Sequence, residues 1–203
     1  DYAFGYVIGT AWERPDIMAR VALTYNSAIT HTLDANESST PTGATTGSFE
    51  TEVPQSVNLE FQTGISRKAQ LLLFGSIRWQ EWSAFTIQPP TYNLVVGGPL
   101  VSYQSDRITY TLGLGKRFNE NWSGAVTVGY EPQNGDITGN LGPTDGFKSV
   151  GLGVTYEMDN MKITGGIRYV DLGAASALTL PAPPFPADTA GAAFSGSHAI
   201  GVG

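Results

Sequence analysis

The sequence contains no cysteine, which excludes a disulfide scaffold, thiolate metal sites and thiol catalysis. Charge is scarce. Asp, Glu, Lys and Arg make up 14% of the 203 residues, where about 25% is ordinary for a soluble domain. The net charge is −7, which argues against a nucleic-acid partner, because such binding rests on Lys and Arg neutralising phosphates. Long apolar runs are missing as well. The most evident, Leu71 to Phe74, is far short of the about 20 residues that a transmembrane helix needs. No basic n-region followed by an apolar h-region opens the chain. Asp1 leads straight into an aromatic alternating segment, and Ile200-Gly-Val-Gly203 stops in mid-pattern. Both ends are read as those of a fragment or a processed chain. Disorder is excluded by aromatic and β-branched residues spread along the whole length.

What is present is a period of two. In 56–65, Val57, Leu59, Phe61 and Ile65 share one face with Thr63, and Ser56, Asn58, Glu60, Gln62 and Gly64 share the other. Successive strand side chains point to opposite faces, so this segment has an oily side and a wet side. The pattern recurs at 20–26, 107–118, 149–157 and 161–169, more weakly at 2–12, 70–82 and 122–130, and begins again at 197–203. These are about nine strands of about 9–12 residues. Soluble strands are usually nearer 5 or 6, whereas a tilted strand crossing a bilayer needs about 9–11.

The connections alternate in length. Short ones fall at 13–16, 66–68, 119–121 and 158–160, where Pro15, Asp16, Asn119 and Asn160 supply turn chemistry. Long ones fall at 28–52, 83–105, 131–147 and 172–195. Short periplasmic turns alternating with long outside loops mark outer-membrane barrels. Trp12, Tyr25, Trp79, Trp82, Tyr103, Phe118, Trp122, Tyr130, Tyr156 and Tyr169 stand near strand ends, where amphipathic rings suit the membrane interface. The expected fold is therefore all-β, an antiparallel transmembrane β-barrel in the bacterial outer membrane. A soluble barrel with the same alternation reversed is the alternative. A sheet edge in lipid would leave backbone groups unsatisfied, and bacterial barrels have even strand numbers. An odd number of strands is therefore expected upstream.

The wet face carries Gly113, Gly115, Gly151, Gly153 and Gly166, read as room for a plug or a passage. If Leu71, Leu73, Ile77 and Trp79 face lipid, then Leu72, Phe74, Arg78 and Trp82 face inward. They would offer either a path for an apolar ligand or a surface for a plug. Arg78, Arg107, Arg117 and Arg168 are expected to pair with Glu60 and Glu157 across the lumen. Catalysis is not indicated. His198 lies beside Ser195 and Ser197, but adjacent strand residues point apart, and no G-x-S-x-G element is present. Asp34, Glu37, Glu50 and Glu52 share one outside loop, as solvated residues or as oxygen ligands for a divalent cation. No metal or cofactor is assigned. The Gly-x-Gly pairs at 113/115 and 151/153 lack the Lys and helix of a phosphate loop. Leu178 to Pro186 is Pro-rich and extended, either an inert rigid loop or a contact surface for phage or a partner.

Several segments resemble the FadL/TodX-type outer-membrane transporters of hydrophobic compounds. They are Arg20-Val-Ala-Leu-Thr-Tyr-Asn-Ser27 with its continuation to Leu33, Pro54 opening the third strand, Trp79-Gln-Glu-Trp-Ser-Ala-Phe85, Asn121-Trp122 and Tyr130-Glu-Pro132. The resemblance covers nearly the whole chain as spacing and order. It implies a barrel of about 14 strands plugged by an N-terminal hatch, with residues 1–203 as the C-terminal part of that single barrel. The hatch and a lateral wall opening would belong to the missing half. It further implies passive uptake of hydrophobic small molecules, fatty-acid-like or aromatic. The position of a carboxylate-holding Lys in fatty-acid carriers corresponds to Leu100, among apolar neighbours Leu94-Val-Val-Gly-Gly-Pro99 and Val101. This leans toward neutral or aromatic ligands. The ligand and lumen candidates are thus Leu72, Phe74, Arg78, Trp82, Leu100 and Arg107. Membrane lipid and lipopolysaccharide are the expected surroundings. A general diffusion porin for polar solutes and a structural or adhesion barrel are the alternative functions.

Overall fold

Each period-two segment forms a strand, and each strand pairs with the next. The computed structural model describes residues 2–138, 144–177 and 192–203. Nine antiparallel strands make one sheet: β1 (Val7–Arg14), β2 (Ala19–Asn26), β3 (Ser56–Ser66), β4 (Leu71–Gln80), β5 (Arg107–Arg117), β6 (Trp122–Glu131), β7 (Phe147–Met158), β8 (Met161–Leu172) and β9 (Ser197–Val202). Their order in the sheet is their order in the chain, the meander that alternating hairpins dictate. Three of the four short turns each place a non-glycine residue in the left-handed region: Met18, Gln70 and Asp159. At the fourth, the Asn119 side chain accepts the N–H groups of Asn121 and Trp122 at 3.0 and 2.8 Å.

Register aligns like with like. Leu23 faces Leu59, and Leu59 faces Ile77; Leu112 faces Val128, and Val128 faces Val150. One sheet face is thus continuously apolar. It is also the more exposed face: Leu152 is 53% exposed, while Ser149 on the other face is 6% exposed. Among the described residues the buried apolar side chains are only Ala22, Val101 and Ala175. A soluble fold buries its large apolar residues and could not be held together by those three. The burial is inverted, as in a barrel wall whose outer face meets hydrocarbon. Among the described residues no helix is long and apolar enough to cross a membrane. The wall itself does the crossing.

Rings mark both borders of the apolar band. Trp79, Tyr110, Tyr130 and Tyr169 stand toward the long connections, and Trp122 packs on Tyr156 at 4.8 Å near the short turns. Polar tips find partners: Tyr25 Oη donates to Gln55 Oε1 at 2.6 Å, and Trp79 Nε1 donates to Asp106 Oδ2 at 3.1 Å. Such rings place an apolar body in lipid and a polar atom at its edge.

The long connections hold structure that the period did not show. Residues 28–52, read as a long connection, form a long hairpin of Ile29–Ser39 and Gly43–Val53. In 83–105 a short helix, α1 (Pro90–Val96), lies between the two arms of a two-residue pairing of Thr86–Ile87 with Val101–Ser102. Three further short strands, Ile137–Thr138, Ala175–Ala177 and Ala192–Phe194, form a small separate sheet. Leu178 to Pro186 lies outside the described residues.

The inverted wall makes a sign prediction. Leu152→Arg, placing a charge in the middle of the apolar face, is expected to cost about 2–4 kcal/mol of barrel stability. Thr111→Arg on the opposite face is expected to cost far less. Urea titration of the vesicle-inserted protein measures both.

Candidate functional site

The less exposed face of β4 presents Leu72, Phe74, Ser76 and Arg78, since Leu73, Ile77 and Trp79 share the apolar face with Leu114, Tyr110 and Ile108. Its surroundings are mostly polar or glycine. Three open hollows run along this inner face. One of about 320 Å³ is bordered by Arg20, Glu60, Gln62, Phe74, Ser76 and Thr111. A second, of about 440 Å³, is bordered by Leu72 with Gly115, Ser123, Ala125, Gly153 and Thr155. A third, of about 470 Å³, continues along Thr127, Gly151, Gly166 and Arg168. Leu72 and Phe74 thus bring apolar surface to an otherwise wet wall, one to each of the first two hollows.

The inner glycines do not all make room. A Cβ on Gly113 would collide with the Phe74 ring. The ring of Phe74 therefore lies across Gly113 and fills the space that the sequence assigned to a passage. A Cβ on Gly151 would lie 2.6 Å from Thr127 Oγ1, whereas Gly115 and Gly153 meet nothing closer than 3.7 Å. The open floor is at Gly115 and Gly153. Gly113 lacks a side chain so that the neighbouring strand's ring can cover it, a pairing known to rescue glycines in sheets.

Trp82 and Leu100 are not on the wall. Trp82 opens a single 3-10 turn, Trp82–Ala84. It packs with Phe85 and Tyr103 in an aromatic cluster, ring centroids 5.2–5.9 Å apart. Leu100 is exposed, its N–H bonded to the Ile87 carbonyl at 2.8 Å. Both residues lie in the connection between β4 and β5. The hairpin braces it: Glu37 accepts the N–H groups of Thr91 and Tyr92 at 2.9 and 2.7 Å, at the start of α1. That carboxylate is spent on the helix rather than on a cation. Among the described residues no group of three or more His, Cys, Asp or Glu side chains is arranged to hold a metal.

The expected pairing of the lumen arginines with Glu60 and Glu157 is corrected. Nearer partners win, because Arg107 sits at the long-connection end of β5 and Glu157 at the short-turn end of β7. Arg107 Nη1 donates to Asp145 Oδ1 at 2.6 Å, and its other nitrogen lies 3.7 Å from Asp136. Arg168 donates to Ser149 Oγ at 2.9 Å and lies over the Phe147 ring. Arg117 donates to the carbonyls of Asn119 and Glu120, and Glu157 pairs with Lys162 at 3.7 Å. Arg78 has no side-chain partner among the described residues. His198 Nδ1 meets Tyr169 Oη at 2.7 Å and Asp171 at 3.2 Å, a rim contact with no serine in it.

Arg107 belongs to a polar node that sequence reasoning missed. Asp145 is 2% exposed and accepts from the N–H groups of Asn134 and Gly135 at 3.1 and 2.7 Å, besides Arg107. Asn134 donates to Ser105 Oγ and to the Asp106 carbonyl, and Ser105 donates to Asp136. The Gly173 N–H donates to the Gly146 carbonyl at 2.9 Å. Three long connections therefore meet around Asp145, two of them through its carboxylate network and the third through the backbone of Asp145 and Gly146. Burial pushes the Asp145 carboxyl up, but the two N–H groups and the Arg107 guanidinium outweigh it and hold it below its ordinary value. The turn signal Asn134-Gly135-Asp136 is visible in the sequence. Nothing there singles out Asp145 as its partner.

With this geometry in place, the fold has known counterparts. The chain is similar to the crystal structure of a Pseudomonas aeruginosa FadL homologue, with a TM-score of 0.68 and 16% identity over 97% of this chain and 49% of that one. It is also similar to the CymD monoaromatic hydrocarbon channel, with a TM-score of 0.52 and 19% identity over 84% of this chain and 47% of that one. The chain spans about half the length of each. No family model matches the sequence, and no curated protein matches it. The fold is that of the β-barrel wall of these two structures, of which this chain forms nine strands.

The node makes two linked predictions. Asp145→Asn removes the nearer of the two carboxylates beside Arg107 and leaves Asp136 at 3.7 Å, so it is expected to cost less than the about 3–5 kcal/mol of a fully uncompensated buried charge and to speed proteolytic cleavage within 131–147. Because the folded carboxyl lies below its ordinary value, its contribution is complete above about pH 4 and is lost as the pH falls through the lowered value. Pepsin cleavage of the parent protein should therefore rise at acid pH, with a much flatter response in Asp145→Asn.

Proposed function

We propose that residues 1–203 are the C-terminal part of one outer-membrane barrel that passes hydrophobic small molecules inward without an energy source. The observation that carries this reading is the pair Leu72 and Phe74, apolar side chains on the wet face of an inverted wall, each bordering a hollow. An open water pore has no use for them, whereas an apolar solute needs such surface to leave the aqueous loops. The aromatic cluster of Trp82, Phe85 and Tyr103, with the exposed Leu100 on the same connection between β4 and β5, serves as the capture surface. Its apolar character, without a Lys or Arg at Leu100, favours neutral or aromatic ligands over carboxylates. The two similar structures, a FadL homologue and a monoaromatic hydrocarbon channel, support the same class. The exterior face is solvated by lipid, with lipopolysaccharide around the long connections. The outward hairpin is the surface offered to phage or other partners.

The test uses the full-length protein in vesicles, measuring entry of a neutral aromatic hydrocarbon beside ion conductance. Facilitated hydrocarbon entry with low conductance is expected. Phe74→Ser should slow entry by about five- to ten-fold, the equivalent of losing most of one apolar contact. High conductance with no hydrocarbon preference would show a general diffusion pore instead.

A further inference from the structure

The cations of this acidic chain are unevenly matched. Near the short turns, Arg14 pairs with Asp16, Arg20 with Glu13 and Lys162 with Glu157. Arg67, Lys68 and Lys116 do not: their side chains are exposed and have no hydrogen-bond or ion-pair partner among the described residues. They are gathered at one place. Arg67 and Lys68 form the β3–β4 turn, and Lys116 stands opposite Leu71, where β4 leaves that turn. The Arg117 N–H is bonded to the Gln70 carbonyl at 3.1 Å, which holds the end of β5 against the turn. Arg117 adds its own charge, its guanidinium bonded to carbonyls rather than to a carboxylate. Glu120 stands in the adjoining β5–β6 turn, and Asp16, in the turn that packs against Gly64 on the other side, is already paired with Arg14.

The cluster sits at a particular depth. Lys116 follows Leu112 and Leu114 on the apolar face, so its stem leaves the lipid-facing side. Beside it Phe118 and Trp122 are exposed, and a Cβ on Gly124 would lie 3.0 Å from the Phe118 ring, which places that ring on the same outer face. A long aliphatic stem rising from an apolar band to an ammonium at its aromatic border is the snorkelling arrangement. Short turns lie on the periplasmic side of outer-membrane barrels. The unmatched cations therefore meet phospholipid headgroups of the periplasmic leaflet.

We propose that Arg67, Lys68 and Lys116 form a contact site for the phosphate of an anionic phospholipid on the periplasmic rim. The proposal rests on the membrane reading of the sheet but not on the transported ligand. A protein with an acidic face is a poorer occupant, because Lys116 emerges among lipid-facing side chains.

The test is lipid retention by the full-length protein, released from nanodiscs of mixed phosphatidylglycerol and phosphatidylethanolamine and read by native mass spectrometry. Each uncompensated interfacial cation is worth about a five-fold headgroup preference at low salt. The parent protein should retain phosphatidylglycerol in at least about that excess, and less so at high salt. The triple variant Arg67→Gln, Lys68→Gln, Lys116→Gln should fall to near parity. Lys162→Gln, which removes a cation already matched by Glu157, should behave as the parent does. Lys68→Gln alone, on the exposed turn, should give an intermediate loss and serves if the triple variant fails to insert. Equal retention of both lipids by the parent, or an excess that survives Lys68→Gln and the triple variant, overturns the site. So does selective capture of an acidic periplasmic protein without lipid enrichment. Insertion and hydrocarbon entry, measured on the same preparations, separate these results from failure of the channel reading.

Discussion

Hydrocarbon offers no partner to a peptide N–H or C=O, and that constraint shapes every part of this chain. A wall in lipid must satisfy its backbone internally, which the unbroken pairing from β1 to β9 does for every strand between the two at its edges. Once the ladder is fixed, the side chains have only two directions. One face must match lipid, so Leu, Ile, Val and aromatic residues gather where a soluble protein would put Lys and Glu. The other encloses an interior of Ser, Thr, Asn, Gln and Gly. Stability in such a wall comes from pairing and from lipid contact rather than from a buried apolar core, and the described residues contain almost none.

The wall was legible because a period of two with matched lengths leaves few other solutions. The apolar set Val57, Leu59 and Phe61 could be placed on one face from spacing alone, and the register confirms it against Tyr25, Leu23 and Val21. Boundaries were less legible: the first strand was read at 2–12 and runs from Val7 to Arg14, and Trp82 belongs to a 3-10 turn. The long connections were hardest. In the hairpin of Ile29–Ser39 and Gly43–Val53 both faces are largely polar, so alternation carries no hydrophobic contrast. What fixes α1 is partly remote, the Glu37 carboxylate on a different connection.

The candidate site divides along the same line. Leu72, Phe74 and Arg78 followed from parity on β4, and their inward direction is a local property. Arg107 was placed correctly on the inner face but assigned distant partners, because the sequence gives no measure of height along the wall. Asp145 could not be found at all: its role depends on three connections meeting. The glycines show the same limit. Gly113 and Gly115 look alike in sequence, yet one lies under a phenyl ring from the next strand and the other faces open space.

The inversion of the two faces is the claim on which the membrane, channel and rim proposals all depend. It is tested most directly by attaching spin labels singly at positions 149 to 154 of the full-length protein in lipid vesicles, and by comparing collision rates with oxygen and with a water-soluble nickel complex. The account predicts oxygen maxima at 150, 152 and 154, with the alternate positions following the nickel complex or shielded from both. Labels at 150, 152 and 154 buried from both reagents, with 149, 151 and 153 open to bulk water, would contradict it.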